Sequence, residues 1–162
     1  MDKYVISKAE IEAMEGLEKT HFLNDNARRN NKSLGDLTGL TGLGFHIIEV
    51  PPGCESTEYH VHYNEDECSY VLSGTGKVII GEEEHSIGPG DFIGYRAGGL
   101  AHTMINDGPE PLKCIVVGQR LAHDSADYPK LGKRIYRSNG KPWDLVNHEH
   151  IVTPGGLAGK KS

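Results

Sequence analysis

From Gly42 to Gly118 the chain alternates short apolar runs with turn-forming clusters. GFHIIEV, CSYVLSG, GKVIIG, DFIGY, HTMIN and KCIVVGQ are separated by PPG, SGTG, GPGD, AGG and NDGPEP. β-Branched residues crowd the runs, and turn signals recur about every eight to twelve residues, the texture of an all-β sandwich or barrel. No helical pattern of roughly 10–15 residues intervenes, which argues against a parallel βαβ sheet.

The flanks read differently. Ser7 with Glu10 three residues later spells a capping box before IEAMEGLEK and predicts a short helix ending near Gly16. Residues 20–36 are polar and rich in Asn, which predicts an arm or extended segment outside the core, with Arg28 and Arg29 as solvated charge. Beyond 118, KRIYRSNGKPWDLV predicts an extension that Trp143 anchors on the barrel, and the last nine residues read as a disordered tail. The expected organisation is an arm at 1–41, a barrel at 42–120, a C-terminal extension packing on it at 121–153, and a flexible tail at 154–162.

Composition narrows the class. The chain has 162 residues, enough for one domain that folds without a disulfide or structural metal. Its formal charge of −6 argues against nucleic acid or an anionic membrane as the main partner. Cys54, Cys68 and Cys114 are an odd set without CxxC spacing and read as reduced thiols. The N-terminal stretch lacks the apolar core of a signal peptide, and no run approaches the roughly 18 apolar residues of a membrane span. A cytoplasmic protein is expected.

Candidate chemistry centres on HVHYNEDE at 60–67. On a strand, residues two apart project to one face, so His60 and His62 can share a cation. A lone HxH is weak; its surroundings strengthen it. Gly53 precedes the pair, Glu67 follows His62 after four residues, and Gly74 comes six residues later. Further on, Gly90 and Asp91 open a second set in which Gly99 leads to His102 and then Asn106.

At these residues the sequence resembles the cupin superfamily, whose two motifs share this order. It departs by one extra residue after Gly53, by Ala97 where a Pro is usual, and by a longer spacer in the second motif. The resemblance covers about 43–118 and implies an antiparallel jelly-roll (double-stranded β-helix) barrel, with a metal held in its mouth by His60, His62, Glu67 and His102. Three imidazoles and a carboxylate suit one divalent ion per chain: Fe, Mn, Zn or Ni, with Cu also compatible. Glu65 and Asp66 read as solvent-facing turn acids, His148 and His150 as a solvated pair, and His46 could face either way. LGDLTGL at 34–40, VPPG at 50–53 and SADYPKLGK at 125–133 are similar to small bacterial cupins labelled as sugar-phosphate isomerase-like or auxin-binding-like.

Three readings follow from the resemblance. In a sugar-phosphate isomerase, the metal would stabilise an enediolate, Glu58 or His46 would move the proton, and Arg96, or more distantly Lys77, would hold the phosphate. In an iron-dependent dioxygenase or related oxidoreductase, Tyr59, Tyr70 or Tyr95 would pack against an organic ring. In a non-catalytic cupin, the cavity would bind a small ligand. The isomerase leads on the family labels. Edge strands of such a barrel predict a homodimer, with residues 1–40 crossing to the partner.

Overall fold

The computed structural model describes residues 3–154. Residues 155–162, which hold most of the predicted tail, lie outside the described residues. Among those described, β-structure dominates. Helix α1 (Lys8–Ala13) precedes strands β1 (Leu17–His21) and β2 (Asn24–Ser33), and the short α2 (Leu34–Leu37) leads into β3 (Leu43–Val50). Then come β4 (Val61–His62), β5 (Glu67–Ser73), β6 (Gly76–Ile80), β7 (Glu83–Ile87), β8 (Phe92–Tyr95) and β9 (His102–Ile105). The chain continues through β10 (Leu112–Gln119), β11 (His123–Tyr128), β12 (Lys133–Ser138) and β13 (Asp144–Asn147).

The capping box forms as the sequence predicts. The Ser7 amide donates to Glu10 at 2.8 Å, and the Glu10 amide donates to the Ser7 hydroxyl at 3.3 Å. The helix stops at its Met14 cap. The polar segment beyond it is a strand hairpin. β1 pairs with β2, and β2 pairs with β3, so these residues extend the main sheet.

That sheet runs β1-β2-β3-β10-β5-β8; β13-β12-β11-β4 forms a second and β7-β6-β9 a third, every ladder antiparallel. The all-β jelly roll is thus observed. The central strand β10 sets its inner face by alternation. Leu112 pairs with Val50, Cys114 with Ile48 and Val71, Val116 with His46 and Ser69, and Gly118 with Glu67. One end of this face is apolar: Val50, Val71, Leu112 and Cys114 are fully buried, and Val78, Ile93 and Met104 pack with them. The other end carries His46 and Glu67.

Two motif residues hold this frame. Gly74 has φ +78, a left-handed conformation that glycine adopts freely, and a Cβ there would overlap the Pro111 carbonyl. Asn106, 0 % exposed, donates to the carbonyls of Val50 at 2.7 Å and Glu110 at 2.8 Å, and accepts from the Gly108 amide at 3.0 Å. This asparagine clasps a turn, so its work is structural.

Candidate metal centre

The HxH strand is held from two directions. His60 and His102 face each other in an isolated bridge, with amide-to-carbonyl bonds of 3.2 and 2.8 Å. β4 pairs with β11 of the C-terminal extension, where His62 stands opposite Ala126. Ligand atoms of His60, His62 and Glu67 consequently lie within 4.8 Å of one another. His102 falls outside that trio but beside it, its ring centroid 4.8 Å from that of His60. Tyr95 stacks on the His102 ring at 3.7 Å and 7°, fixing its plane.

Each imidazole spends its Nδ1 on an acceptor. His60 donates from Nδ1 to the Glu58 carbonyl at 2.9 Å, His102 to the Leu100 carbonyl at 3.3 Å, and His62 to the Asp124 carboxylate at 2.6 Å. Carbonyls and carboxylates only accept here, so the neutral rings carry their proton on Nδ1 and keep the Nε2 lone pair free. The His102 Nε2 is buried without a hydrogen-bond partner. An orphaned imidazole nitrogen, and two more rings fixed in the ligating tautomer, fit a divalent cation.

Electrostatics keep two of the three imidazoles neutral. Burial lowers His102 to about 4 and lowers His60 strongly, with the neighbouring histidines adding to the effect on His60. Burial alone would also lower His62, but the hydrogen bond to Asp124 and the charge of Glu67 raise it. Glu67 is raised by burial, against the opposing charges of His62 and Arg29.

Three of these side chains open onto a cavity of about 560 Å³. Its wall includes His60, His62 and Glu67, and His46 faces inward among them. Sequence reasoning missed several others. Lys19, His21 and Arg29 enter from the N-terminal hairpin, and Tyr128 and Arg137 from the C-terminal extension. Arg29, expected in solvent, faces inward because Ala27, Arg29 and Asn31 share the inner side of β2. Glu65, expected as an exposed turn acid, is 5 % exposed, paired with Arg137 and accepting from the Leu121 amide.

The two residues expected to catalyse stand elsewhere. Glu58 is buried, but its carboxylate accepts from Asn24 at 2.8 Å, and it does not line this cavity. Arg96 lines a separate groove of about 640 Å³, beyond Glu67, with Phe92 and Leu100. Lys77 pairs with Glu84 on β7. His148 and His150 sit on a 3-10 turn, with His148 3.3 Å from Asp127. Trp143 is 59 % exposed and lies over Arg137. Tyr59 donates to the Gly81 carbonyl, and Tyr70 is exposed.

No helix among the described residues is long and apolar enough to cross a membrane. Among proteins of curated function, none matches the chain. Residues 46–118 match the cupin domain family. A solved protein from Acidithiobacillus ferrooxidans, provisionally named a sugar phosphate isomerase, is 48% identical with a TM-score of 0.89, over 93% of this chain and 96% of that one. A cupin-superfamily sugar phosphate isomerase from Silicibacter pomeroyi shares the fold, with 22% identity and a TM-score of 0.76 over 90% and 95%. A Thermotoga maritima protein named for oxalate decarboxylation shares the barrel at 24% identity, with a TM-score of 0.52 over 58% and 82%. Near-complete alignment with a 48%-identical barrel, together with the domain match across 46–118, places this chain in the cupin superfamily.

Proposed function

We propose that the protein is a metal-dependent isomerase of a sugar phosphate. The observation that carries this reading is the convergence of His60, His62 and Glu67, with His102 alongside, on a cavity that also presents neutral proton-carrying groups. The name of the 48%-identical relative supports the substrate class. One divalent ion per chain would be held by His60, His62, Glu67 and His102; when bound, it supplies Lewis acidity that polarises a carbonyl and its neighbouring hydroxyl.

The chain's own residues supply the rest. Burial lowers His21 to about 4, so it is neutral near pH 7. The Leu23 amide donates to its Nδ1 at 3.2 Å, so the ring proton sits on Nε2 as a donor. Burial raises Tyr128 to about 12, which keeps its hydroxyl proton available to a developing oxyanion. Burial and nearby cations also lower His46, which joins Asn31 through Nδ1 at 3.3 Å. The Asn31 NH₂ donates to that nitrogen, so the His46 ring proton sits on Nε2, from which it can be given to a substrate oxygen. Of Glu58 and His46, which the sequence offered together as acid–base candidates, His46 is the one that lines this cavity.

The test is turnover of a panel of aldose and ketose phosphates in D₂O, with and without oxygen. Isomerisation without oxygen, with deuterium incorporated beside the carbonyl, is expected. Oxygen consumption coupled to turnover would overturn the reading in favour of an oxygenase; ligand binding without either reaction would favour a non-catalytic cupin. Elemental analysis should find about one divalent ion per chain, lost in His60→Ala and His102→Ala. The same reading takes the protein as a cytoplasmic homodimer. Edge strand β8, with Phe92 68 % exposed, supports the pairing, and sedimentation as a monomer would refute it.

A further inference from the structure

We propose that Arg29 is the anchor for the phosphate group of the ligand, so that the N-terminal hairpin makes the cavity a phosphate-recognition site. The inference rests on the isomerase reading for the ligand's class, but its own evidence is the charge pattern around Arg29.

β2 turns Arg29 into the cavity that His60, His62 and Glu67 line. Its Nη1 donates to the Ser56 carbonyl, while its Nε is buried without a partner. The other two guanidiniums of the wall are neutralised: Arg120 pairs with Asp36, and Arg137 with Glu65. Among the described residues no carboxylate forms an ion pair with Arg29. Burial lowers its pKa, and the charge of Glu67 opposes that shift. Once Glu67 ligates a cation, its charge is shared with the metal, and Arg29 is left as a half-buried cation without a counterion of its own. That state is costly, and an anionic ligand relieves it.

The wall as a whole has the same sign. Lys19, Arg29, Arg120 and Arg137 stand against Glu65, Glu67 and the Asp36 that pairs with Arg120, four cations to three acids, a balance of +1 before any metal. The chain carries −6, so this is a local positive field inside an acidic protein, suited to drawing in small anions. Lys19 is the cross-strand partner of Arg29 in the hairpin and lines the same cavity. A planar fork beside an ammonium matches the dianionic, three-oxygen end of a phosphate monoester better than the single charge of a carboxylate.

Calorimetric titration tests this with inorganic phosphate, ribose 5-phosphate, ribose and acetate, on metal-loaded and metal-stripped protein. Wild type should bind phosphate and ribose 5-phosphate saturably in both forms, and ribose and acetate at least tenfold more weakly. Arg29→Met should weaken both phosphate ligands at least tenfold in the stripped protein, where no metal can hold the anion, with metal occupancy of the loaded form unchanged. If Arg29→Met fails to fold, Arg29→Lys, which keeps the charge but loses the fork, is scored instead and should weaken phosphate at least threefold. Phosphate binding at wild-type strength in the scored variant overturns the assignment. Acetate binding as tightly as phosphate, with the same dependence on Arg29, also overturns it and assigns a carboxylate ligand. Arg29-dependent phosphate binding without turnover of any sugar phosphate leaves this assignment standing and sinks the isomerase reading alone.

Discussion

Replacing Asp124 by Asn isolates the carboxylate that reaches a metal-facing histidine from the C-terminal extension. Asp124 is 7 % exposed. One oxygen accepts from Nδ1 of His62 at 2.6 Å and the other from the Asn64 amide at 3.1 Å. Asparagine keeps the shape but brings one oxygen to two donors. Whichever donor it serves, its NH₂ group faces the other, and the charge that raises His62 against burial is gone.

Partners of this kind orient a ligating imidazole and raise its basicity, and their loss typically weakens metal binding by about 10–100-fold. That corresponds to about 1.4–2.7 kcal/mol. The fold loses part of a charge-assisted hydrogen bond, worth about 1.5–3 kcal/mol when whole. Competition with a chromophoric chelator near pH 7.5 measures the first quantity, and thermal melting of the metal-stripped protein measures the second. Metal affinity equal to wild type in a folded Asp124→Asn protein would refute the reasoning. So would an equal loss in Asp127→Asn, since that would trace the effect to damage of β11 rather than to the bond with His62.

Asp127 gives a separate prediction in pH. Burial would raise its pKa, but hydrogen bonds from Arg134 and Tyr63, with His148 3.3 Å away, hold it at about 2. A carboxyl depressed on folding contributes stability that is complete above its ordinary range and lost as pH falls from about 4 to about 2. After solvent screening that contribution is about 1–2 kcal/mol, so wild-type Tm should fall more steeply than that of Asp127→Asn across this window. Parallel Tm–pH curves would contradict it. Tyr95→Phe removes a buried hydroxyl that lacks a partner and keeps the stack on His102; stability should be unchanged or rise by up to about 1 kcal/mol, with metal affinity intact. Tyr95→Ala should cost about 3–5 kcal/mol and weaken metal binding, because the His102 ring loses its support. Equal stability in the Phe and Ala variants by denaturant unfolding would refute the stacking role.

The barrel was legible because each core strand obeys an alternation that the turns punctuate. Glu67, Ser69 and Val71 face inward by parity alone, and the HxH and its downstream Glu stood out for the same reason. Contacts made across long stretches of chain were not legible. Glu65 looked like one of three solvated turn acids because its partners, Arg137 and the Leu121 amide, arrive from 56 to 72 residues away. Arg29 was hidden differently. NDNARRNNKS is polar on both faces, so alternation carries no hydropathy signal there, although Ala27 and Asn31 are buried while Arg28 is exposed. Asp124 had no local mark, since it acts only because β11 pairs with the HxH strand.

This division has a functional consequence. The candidate ligands His60, His62, Glu67 and His102 all fall within 46–118, the stretch that matches the cupin domain. Lys19, His21, Arg29, Tyr128 and Arg137, which line the same cavity, all fall outside it. The barrel therefore brings the donor set, and the two flanks bring the groups that would choose a ligand. The Thermotoga maritima protein aligns over 58% of this chain, too little to include the barrel and both flanks whole. The Acidithiobacillus ferrooxidans protein aligns over 93% of the chain, so the alignment extends into the flanking segments. Ligand choice should then follow the flanks: substitutions at Arg29 or His21 should alter which ligand binds while leaving metal content intact, and substitutions at His60 should do the reverse.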